Sequence, residues 1–514
     1  MSYKALEVIL TRAFFILVLV KTAFRYIIFL LFFSATSLNG QGYFEVTEDI
    51  REAYDLVTAL KCDEAMKKIE YIKKVDKDNL LVYHIENYLD FFEIFINEDK
   101  DQFKELEKNK DIRLDKIKTG DKKSPFYRFS QAEINLQWAL ARSKFNQKFK
   151  ASWELLNANA LLEENAVLFP DFQYNYKSLS IIHVLSRSVP GILRTIFSIK
   201  GSISQGTEEI KMLYEASLKD DLIFKDEIVV IYAYILYYQN NKTEEAWEII
   251  ERSFLAKPSR NPLVSFVTAN IGQKAGKNDL AIKILQQRPV LEDALPFYYM
   301  DFLLGIFKLY RLDEDADQYI LKFINNFKGQ HYIKEAYQKM AWYRLVIHDD
   351  LPGYKKYMNL IPSSGNDLID EDKQAQKESR NGHIPHPDLL KARLLYDGGY
   401  YDVAYNLLIK KAYTFSDPKA LMEYNYRMGR ISQALKNYPD AIGFYVTTIN
   451  NAIGDAYFPC NAALQIGLIL EDQKRYRQAV KYLDQCMDMS PEEYKNSLHQ
   501  KAKSAIQRIK EKTD

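Results

Sequence analysis

The chain has 514 residues, more than one compact core usually holds, so several domains or one elongated repeat array are expected. Its 70 basic and 69 acidic residues give a net charge of +1, which supplies no basic excess for binding the phosphates of nucleic acid. Gly and Pro are scarce, at 19 and 15 residues, which favours a helical chain.

The first forty residues have the layout of a targeting signal. An apolar run at 26–33 follows basic residues and precedes the small and polar residues of 34–40. This layout predicts a secretory signal peptide over residues 1–40 that is cleaved to leave Gln41 first. The alternative is a single-pass N-terminal membrane anchor over 13–35. We therefore expect an exported protein of the periplasm or cell envelope.

Apolar periodicity predicts helices for the N-terminal half. Residues 44–128 are expected to form an N-terminal helical region, with three helices between Val46 and Asn97 and then a lysine-rich surface loop. Acidic residues interleave the lysines between Lys104 and Lys123, so we interpret this run as a solvated helix face and loop. Residues 129–330 are expected to form degenerate helical repeats, among them a hairpin over 295–327 whose small residues are one position out of register.

The C-terminal half carries the clearest internal period. A tetratricopeptide repeat is a helical hairpin of about 34 residues. It needs small side chains at position 8 of its first helix and position 20 of its second, because the two helices cross there. Gly467 and Ala479 fall at these positions, with Pro491 at position 32, and Gly429 and Ala441 fall at them in the preceding unit. The period predicts an all-α fold of tetratricopeptide-like hairpins stacked into an α-solenoid.

The same pattern divides the rest of the sequence into three parts. We expect a helical hairpin over 331–361 and C-terminal tetratricopeptide repeats over 388–512. Between them, residues 362–387 are rich in polar residues and Gly, which predicts a polar insertion loop with a short helix around 370–378.

Several stretches go beyond generic repeat spacing. They are Phe169-Pro170-Asp171-Phe172, Lys177-Ser178-Leu179 leading to Ser188-Val189-Pro190, Gly201 with Gln205-Gly206, the run from Leu389 to Tyr401, and Tyr457-Phe458-Pro459. Together they resemble the tetratricopeptide repeat 39 and inclusion-body-clearance family, and more closely its exported bacterial relatives, over residues 130–510. The resemblance implies a helical-repeat fold and a non-enzymatic interaction role. The signal segment departs from the cytosolic eukaryotic members, which are linked to clearing protein inclusions with the help of lipid droplets.

Candidate chemical motifs are weak. Residues 272–277 resemble a phosphate loop but have the wrong spacing and lie in an inter-helix turn. His383 and His386 lack a third metal ligand and are interpreted as loop residues. Cys460 and Cys486 fall in one hairpin, either as free thiols or, after export, as a disulfide. We predict a protein that is not an enzyme and uses no cofactor or metal.

The remaining candidate is the concave surface of the solenoid, formed by positions 2, 5, 9 and 12 of each first helix. Arg393 and Arg430 occupy position 9 in successive repeats beside aromatic rings. They are either a cradle for a peptide carboxylate or another anion, or exposed arginines that support neighbouring carboxylates. The predicted partner-binding groove consists of Arg393, Tyr396, Tyr426, Arg430, Gln433, Leu464, Leu468 and Glu471.

These observations predict an exported helical-repeat scaffold that binds a protein or peptide partner in the cell envelope. Nucleic acid is not expected as a partner, and the membrane is expected only through an uncleaved N-terminal segment. The alternative function is an envelope carrier of a small ligand such as a glycan or lipid, for which an enclosed apolar pocket would be needed.

Overall fold

A computed structural model describes residues 41–186, 201–240, 242–255, 261–289 and 293–513. In these ranges the ordered elements are helices, with two isolated bridges, Gly42 with Gly120 and Tyr43 with Asn79. The predicted all-α fold is confirmed. The proposed signal segment 1–40 and the Ser188–Pro190 part of the resemblance lie outside the described residues. None of the helices described is both long and apolar enough to cross a membrane.

The N-terminal region consists of α1 (Glu48–Thr58), α2 (Cys62–Val75), α3 (Leu81–Asn97), α4 (Lys100–Leu106) and α5 (Asn109–Ile117). The lysine-rich segment thus contains two helices, in agreement with the helix face expected there, but it is packed against the protein and is not a solvated surface loop. It folds because Phe103 and Ile117 pack in a core cluster with Trp138, while Arg113 is buried with its Nη1 2.6 Å from Asp90 Oδ2. Burying these side chains gives a charged segment a fixed position.

The middle of the protein continues as hairpins of neighbouring helices. They are α6 (Pro125–Lys144), α7 (Lys148–Leu168), α8 (Asn175–Leu185), α9 (Ile203–Ser217), α10 (Lys225–Asn240), α11 (Thr243–Ile250), α12 (Pro262–Lys274), α13 (Asn278–Gln286), α14 (Tyr298–Tyr310) and α15 (Ala316–Asn326). Gly305 lets α14 approach α15 closely. A Cβ atom at Gly305 would lie 2.6 Å from Ile320 Cγ1 and 3.0 Å from the carbonyl oxygen of Ala316.

A buried charge cluster fixes α8 between α6 and α10. Lys177 Nζ lies 2.6 Å from Glu133 Oε2 and 2.7 Å from Glu227 Oε2, and it donates to the Tyr88 hydroxyl at 3.1 Å. Burial acts against the charge of Lys177, but the two carboxylates raise its pKa overall. Burial also raises the pKa of Glu133, which Lys177 only partly offsets.

The C-terminal half contains the predicted hairpins. The helices are α16 (Ile333–His348), α17 (Leu351–Leu360), α18 (Asp370–Asn381), α19 (Pro387–Asp397), α20 (Tyr401–Ile409), α21 (Pro418–Ala434), α22 (Tyr438–Asn450), α23 (Tyr457–Asp472), α24 (Tyr476–Asp488) and α25 (Lys495–Thr513). The small residue at position 8 acts as expected. A Cβ atom on Gly467 would lie 3.4 Å from the carbonyl oxygen of Ala479 and 2.6 Å from Leu483 Cδ2. The close crossing of α23 and α24 therefore requires a glycine at position 467.

The polar insertion contains the short helix predicted around 370–378, which extends from Asp370 to Asn381 as α18. This helix packs on the repeat array instead of lying free in a surface loop. Ala375 on α18 is fully buried, and Asp372 accepts hydrogen bonds from the backbone N–H groups of Tyr332 (2.7 Å) and Glu335 (3.0 Å) at the start of α16. Lys334 Nζ donates to Gln376 Oε1 at 2.7 Å. One face of the insertion carries these groups at helical spacing, so it docks on the repeat array.

Hairpins that are remote in sequence also touch. Gln273 Nε2 in α12 donates to the carbonyl oxygen of Asp397 at 2.8 Å, and a Cβ atom on Gly399 would lie 3.2 Å from the carbonyl oxygen of Gly276. The Leu295 N–H donates to the carbonyl oxygen of Leu60 at 2.8 Å. The array is therefore a tightly wound solenoid rather than an open arc.

Candidate functional site

The candidate site is a cleft on the concave side of α19, α21 and α23. The insertion helix α18 and the segment before α25 meet across it. Tyr494 OH lies 3.3 Å from Gln374 Oε1, and Lys377 Nζ lies 3.0 Å from carboxylate oxygens of both Glu492 and Glu493. The cleft contains two adjoining cavities, one of which is lined by Gln374, Glu493 and Tyr494 of this bridge. We call them the Arg430 cavity, of about 140 Å³, and the aromatic cavity, of about 180 Å³.

The two cavities differ in their linings and share Arg393, Arg427 and Tyr457. The Arg430 cavity is further lined by Tyr396, Asp397, Tyr426 and Arg430. The aromatic cavity is lined by the rings of Trp342, Phe458 and Tyr494 and by the carboxylates of Glu378, Glu423 and Glu493. One end of the cleft is therefore rich in guanidinium groups, and the other end is rich in rings.

Arg430 is held by tyrosine hydroxyls. Its Nε and Nη2 atoms donate to the Tyr396 hydroxyl at 3.2 and 2.9 Å, and Nη1 donates to the Tyr426 hydroxyl at 3.2 Å. Its guanidinium carbon also lies 4.5 Å from the centroid of the Tyr396 ring. No carboxylate in the described parts of the protein forms an ion pair with Arg430. The charge is therefore partly buried without an internal counter-charge.

A directional series of hydrogen bonds ends at Tyr426. Burial raises the pKa of Tyr445 well above its ordinary value, so its hydroxyl keeps its proton and donates to Gln433 Oε1 at 2.6 Å. Gln433 Nε2 donates to Gln465 Oε1 at 3.1 Å, and Gln465 Nε2 donates to Asn461 Oδ1 at 3.1 Å. The final donation, at 2.7 Å, runs from Asn461 Nδ2 to the Tyr426 hydroxyl.

This direction determines what Tyr426 offers to the cavity. Its hydroxyl oxygen accepts from both Asn461 and Arg430, which occupies both lone pairs. The Tyr396 hydroxyl likewise accepts two N–H groups of Arg430. Both hydroxyl protons are therefore left to donate to an added acceptor. The Arg430 cavity presents a surplus of donors.

The other two arginines have internal partners. Arg427 Nε donates to Glu423 Oε1 at 2.7 Å. Arg393 Nε lies 3.8 Å from Asp397 Oδ2, and its guanidinium carbon lies 4.7 Å from the centroid of the Trp342 ring. Arg393 thus matches the supporting-arginine alternative, whereas Arg430 does not. The two residues, equivalent by repeat position, have different environments.

The structure brings together five of the eight predicted groove residues. Tyr396, Tyr426 and Arg430 form the centre of the cleft, Arg393 lines both cavities, and Gln433 belongs to the hydrogen-bond series.

The other three lie away from this centre, which corrects the predicted groove at its C-terminal end. Leu464 is fully buried in the core cluster that includes α25, and Leu468 packs partly buried against it. Glu471 is buried, with its Oε2 atom 2.7 Å from Arg508 Nη2 on α25. The terminal helix therefore occupies the surface that a further repeat would use.

Sequence reasoning missed Trp342, Tyr457, Glu423 and Asn461. Glu423 and Asn461 occupy position 2 of their repeats, so the same positional rule could have found them. Trp342 and Tyr457 do not occupy any of the four repeat positions that the rule covers. That they line the cleft is visible only from the way α16 and α23 pack. Burial raises the pKa of Tyr457, so that hydroxyl also stays protonated.

The weaker candidate motifs have local structural roles. Gly276 adopts a positive φ of 74° in the α12–α13 turn, and His386 Nδ1 accepts from the Asp388 N–H at 3.2 Å as the N-cap of α19. Cys460 and Cys486 are buried free thiols whose Sγ atoms lie 3.6 Å apart. In the described ranges, no group of His, Cys, Asp and Glu residues is arranged to hold a metal ion.

Fold and cleft together define a tetratricopeptide-like α-solenoid with a donor-rich cleft on α19, α21 and α23. No protein-family model matches the sequence, and no curated protein matches it. The structure is similar to the crystal structure of yeast Tom70, with 15% identity, coverage of 86% of this chain and 92% of that chain, and a TM-score of 0.31.

A second similar structure is the apo form of the quorum sensor NprR from B. thuringiensis. Identity is 14%, coverage is 79% of this chain and 99% of that chain, and the TM-score is 0.31. Because both identities and both TM-scores are low, we assign the tetratricopeptide-like class from the helical hairpins and their close crossings. Neither similar structure indicates what this protein binds.

Proposed function

We propose that this protein is a non-enzymatic, exported helical-repeat scaffold that binds a protein or peptide partner in the concave cleft. The main support for the proposal is Arg430, a partly buried guanidinium whose partners are tyrosine hydroxyls and which has no carboxylate partner among the described residues. A partly buried charge without a counter-charge destabilises the folded protein. Such a residue is commonly retained because it binds a ligand or partner.

Two sequence features support the export and the family parts of the proposal. The layout of residues 1–40 is that of a secretory signal. The stretches around 389–401 and 457–459, which resemble the tetratricopeptide repeat 39 family and its exported bacterial relatives, form α19 and the start of α23 and border the cleft.

Site-specific photo-crosslinking in intact cells tests the cleft. Tyr494 is half exposed and lines the aromatic cavity, so a photo-reactive phenylalanine there faces a bound partner. Tyr413 is 89% exposed and lines neither cavity, which makes it a matched control. We expect a discrete crosslinked band from position 494 and none from 413. Equal labelling from both positions, or none from 494, contradicts the proposal.

Sequencing the N-terminus of the protein recovered from cells tests export. The proposal expects a mature protein that begins at Gln41 in the envelope fraction. Recovery of an intact leader in the membrane fraction would replace the cleaved form by the membrane-anchored form and leave the cleft unaffected.

The carrier alternative is less well supported by the cleft. Pockets for small ligands usually enclose ~300 Å³ or more and are mostly apolar. The Arg430 and aromatic cavities hold about 140 and 180 Å³, and guanidinium and carboxylate groups line both. Such cavities fit single side chains or the terminus of a larger partner better than a whole glycan or lipid.

A further inference from the structure

We infer that the Arg430 cavity is a carboxylate-binding subsite that takes one acidic group of the partner. The inference rests on the proposed function and specifies its chemistry. A carboxylate carries the counter-charge that Arg430 lacks, and its two oxygens offer about four lone pairs to donors. The donors are already in place, because Tyr396 and Tyr426 keep hydroxyl protons free and Arg430 has N–H groups to spare.

The cavity is built for a charged group rather than a neutral one. Arg393, Arg427 and Arg430 line it. Asp397 and Glu423 pair with the first two, so the positive charge of Arg430 is the one left for a ligand. The hydrogen-bond series through Gln433, Gln465 and Asn461 orients the Tyr426 hydroxyl as a donor, so its polarity does not depend on the ligand. A neutral amide in this position would bring N–H groups against existing donors.

The neighbouring cavity limits what can accompany the carboxylate. Its rings, Trp342, Phe458 and Tyr494, offer apolar faces. Its carboxylates already have donors, since Glu423 accepts from Arg427 and Glu378 accepts from Trp342 Nε1 at 2.8 Å. A second acidic group would be repelled there. The ligand is therefore a single carboxylate next to an apolar or aromatic side chain.

Two sources supply such a carboxylate, the C-terminus of a polypeptide and the side chain of an Asp or Glu residue. Three pools of fluorescent random hexapeptides separate them on the immobilised full-length protein. The first has a free C-terminal carboxylate and no acidic residue, the second has a C-terminal amide and one Glu, and the third has a C-terminal amide and no acidic residue. We expect the first or the second pool to be retained at least tenfold more than the third, and the retained pool identifies the source.

Variants test whether the retained peptides bind in the Arg430 cavity. Arg430→Met is expected to lower retention at least tenfold, and Tyr396→Phe with Tyr426→Phe is expected to lower it while keeping both rings. Arg477→Met, at an exposed arginine on α24, is the control and should not change it. Circular dichroism checks that each variant is folded. Retention of the neutral pool at the same level, retention of no pool, or full retention by folded Arg430→Met overturns the subsite.

The crosslink from position 494 distinguishes an error in the proposed subsite from an error in the proposed scaffold function. If the subsite alone is wrong, the crosslink from position 494 persists at full yield in Arg430→Met. If the scaffold is wrong, position 494 gives no crosslink with either residue at 430.

Discussion

Replacing Gly305 by Ala tests whether close helix crossing holds the array together. The added methyl group would lie 2.6 Å from Ile320 Cγ1 and 3.0 Å from backbone atoms of Ala316 and Ile320. Normal carbon contacts are ~3.5 Å or longer, so α14 and α15 would have to separate by a good part of an ångström. Because backbone atoms form two of these contacts, a side-chain rotation cannot relieve them.

The expected free-energy change follows from two opposing contributions. Overpacking in a close-packed interior costs about 1 to 3 kcal/mol, whereas Ala in place of Gly in a helix gains about 1 kcal/mol. Since the two backbone contacts place the overpacking cost in the upper part of that range, about 2 to 3 kcal/mol, we expect Gly305→Ala to lower the free energy of unfolding by about 1 to 2 kcal/mol. Gly443 in α22 has no heavy atom within 4 Å of its would-be Cβ, so Gly443→Ala should instead raise it by about 0.5 to 1 kcal/mol.

Urea unfolding followed by far-ultraviolet circular dichroism measures both variants, and amide hydrogen exchange locates the effect in α14 and α15. The two variants should shift the unfolding midpoint in opposite directions. An unfolding midpoint of Gly305→Ala equal to or above that of the wild type would refute the crossing argument.

Three further predictions concern stability. Lys177→Met should lower the free energy of unfolding by about 3 to 5 kcal/mol in urea, because Glu133 is left buried without its counter-charge and next to the partly exposed carboxylate of Glu227. A loss below ~1 kcal/mol would contradict the cluster's role. Under oxidising conditions Cys460 and Cys486 should form a disulfide, closing a loop between residues 26 apart and raising stability by about 3 kcal/mol. Thiol titration of the denatured protein should then find one free thiol, and three would refute it. Burial raises the pKa of Asp372 to about 6, above its unfolded value, so the folded protein holds a proton that the unfolded protein has lost. Stability should therefore fall by about 3 kcal/mol as pH rises from about 4 to about 6, and Asp372→Asn should flatten that slope in pH-dependent unfolding.

The repeat pattern predicted much of the fold because it describes a local steric requirement. Gly467 and Ala479 are small for a reason that acts within one hairpin, so spacing alone finds them. The lysine-rich segment and the polar insertion pack more closely than their charged and polar composition suggests, because of long-range burial. Arg113 depends on Asp90, and Asp372 depends on the start of α16, and neither partner is visible from local composition.

The repeat positions predicted which residues line the candidate site, but they did not predict the surroundings of each side chain. Arg393 and Arg430 are equivalent in the repeat, yet Arg393 faces Asp397 and Trp342 while Arg430 faces two hydroxyls. Leu464 follows the same rule and is fully buried in the C-terminal core cluster, to which α25 contributes Leu498, Ala502, Ala505 and Ile509. The tight winding and the bridge by α18 arise from contacts across more than a hundred residues, which periodicity does not encode.

The central claim is that the cleft binds its partner through Arg430. The most direct test is the dissociation constant of the partner captured from position 494, measured for the wild type, Arg430→Met and Arg477→Met. We expect Arg430→Met to weaken binding at least tenfold and Arg477→Met to leave the affinity unchanged. Equal affinity of all three proteins would contradict binding through Arg430.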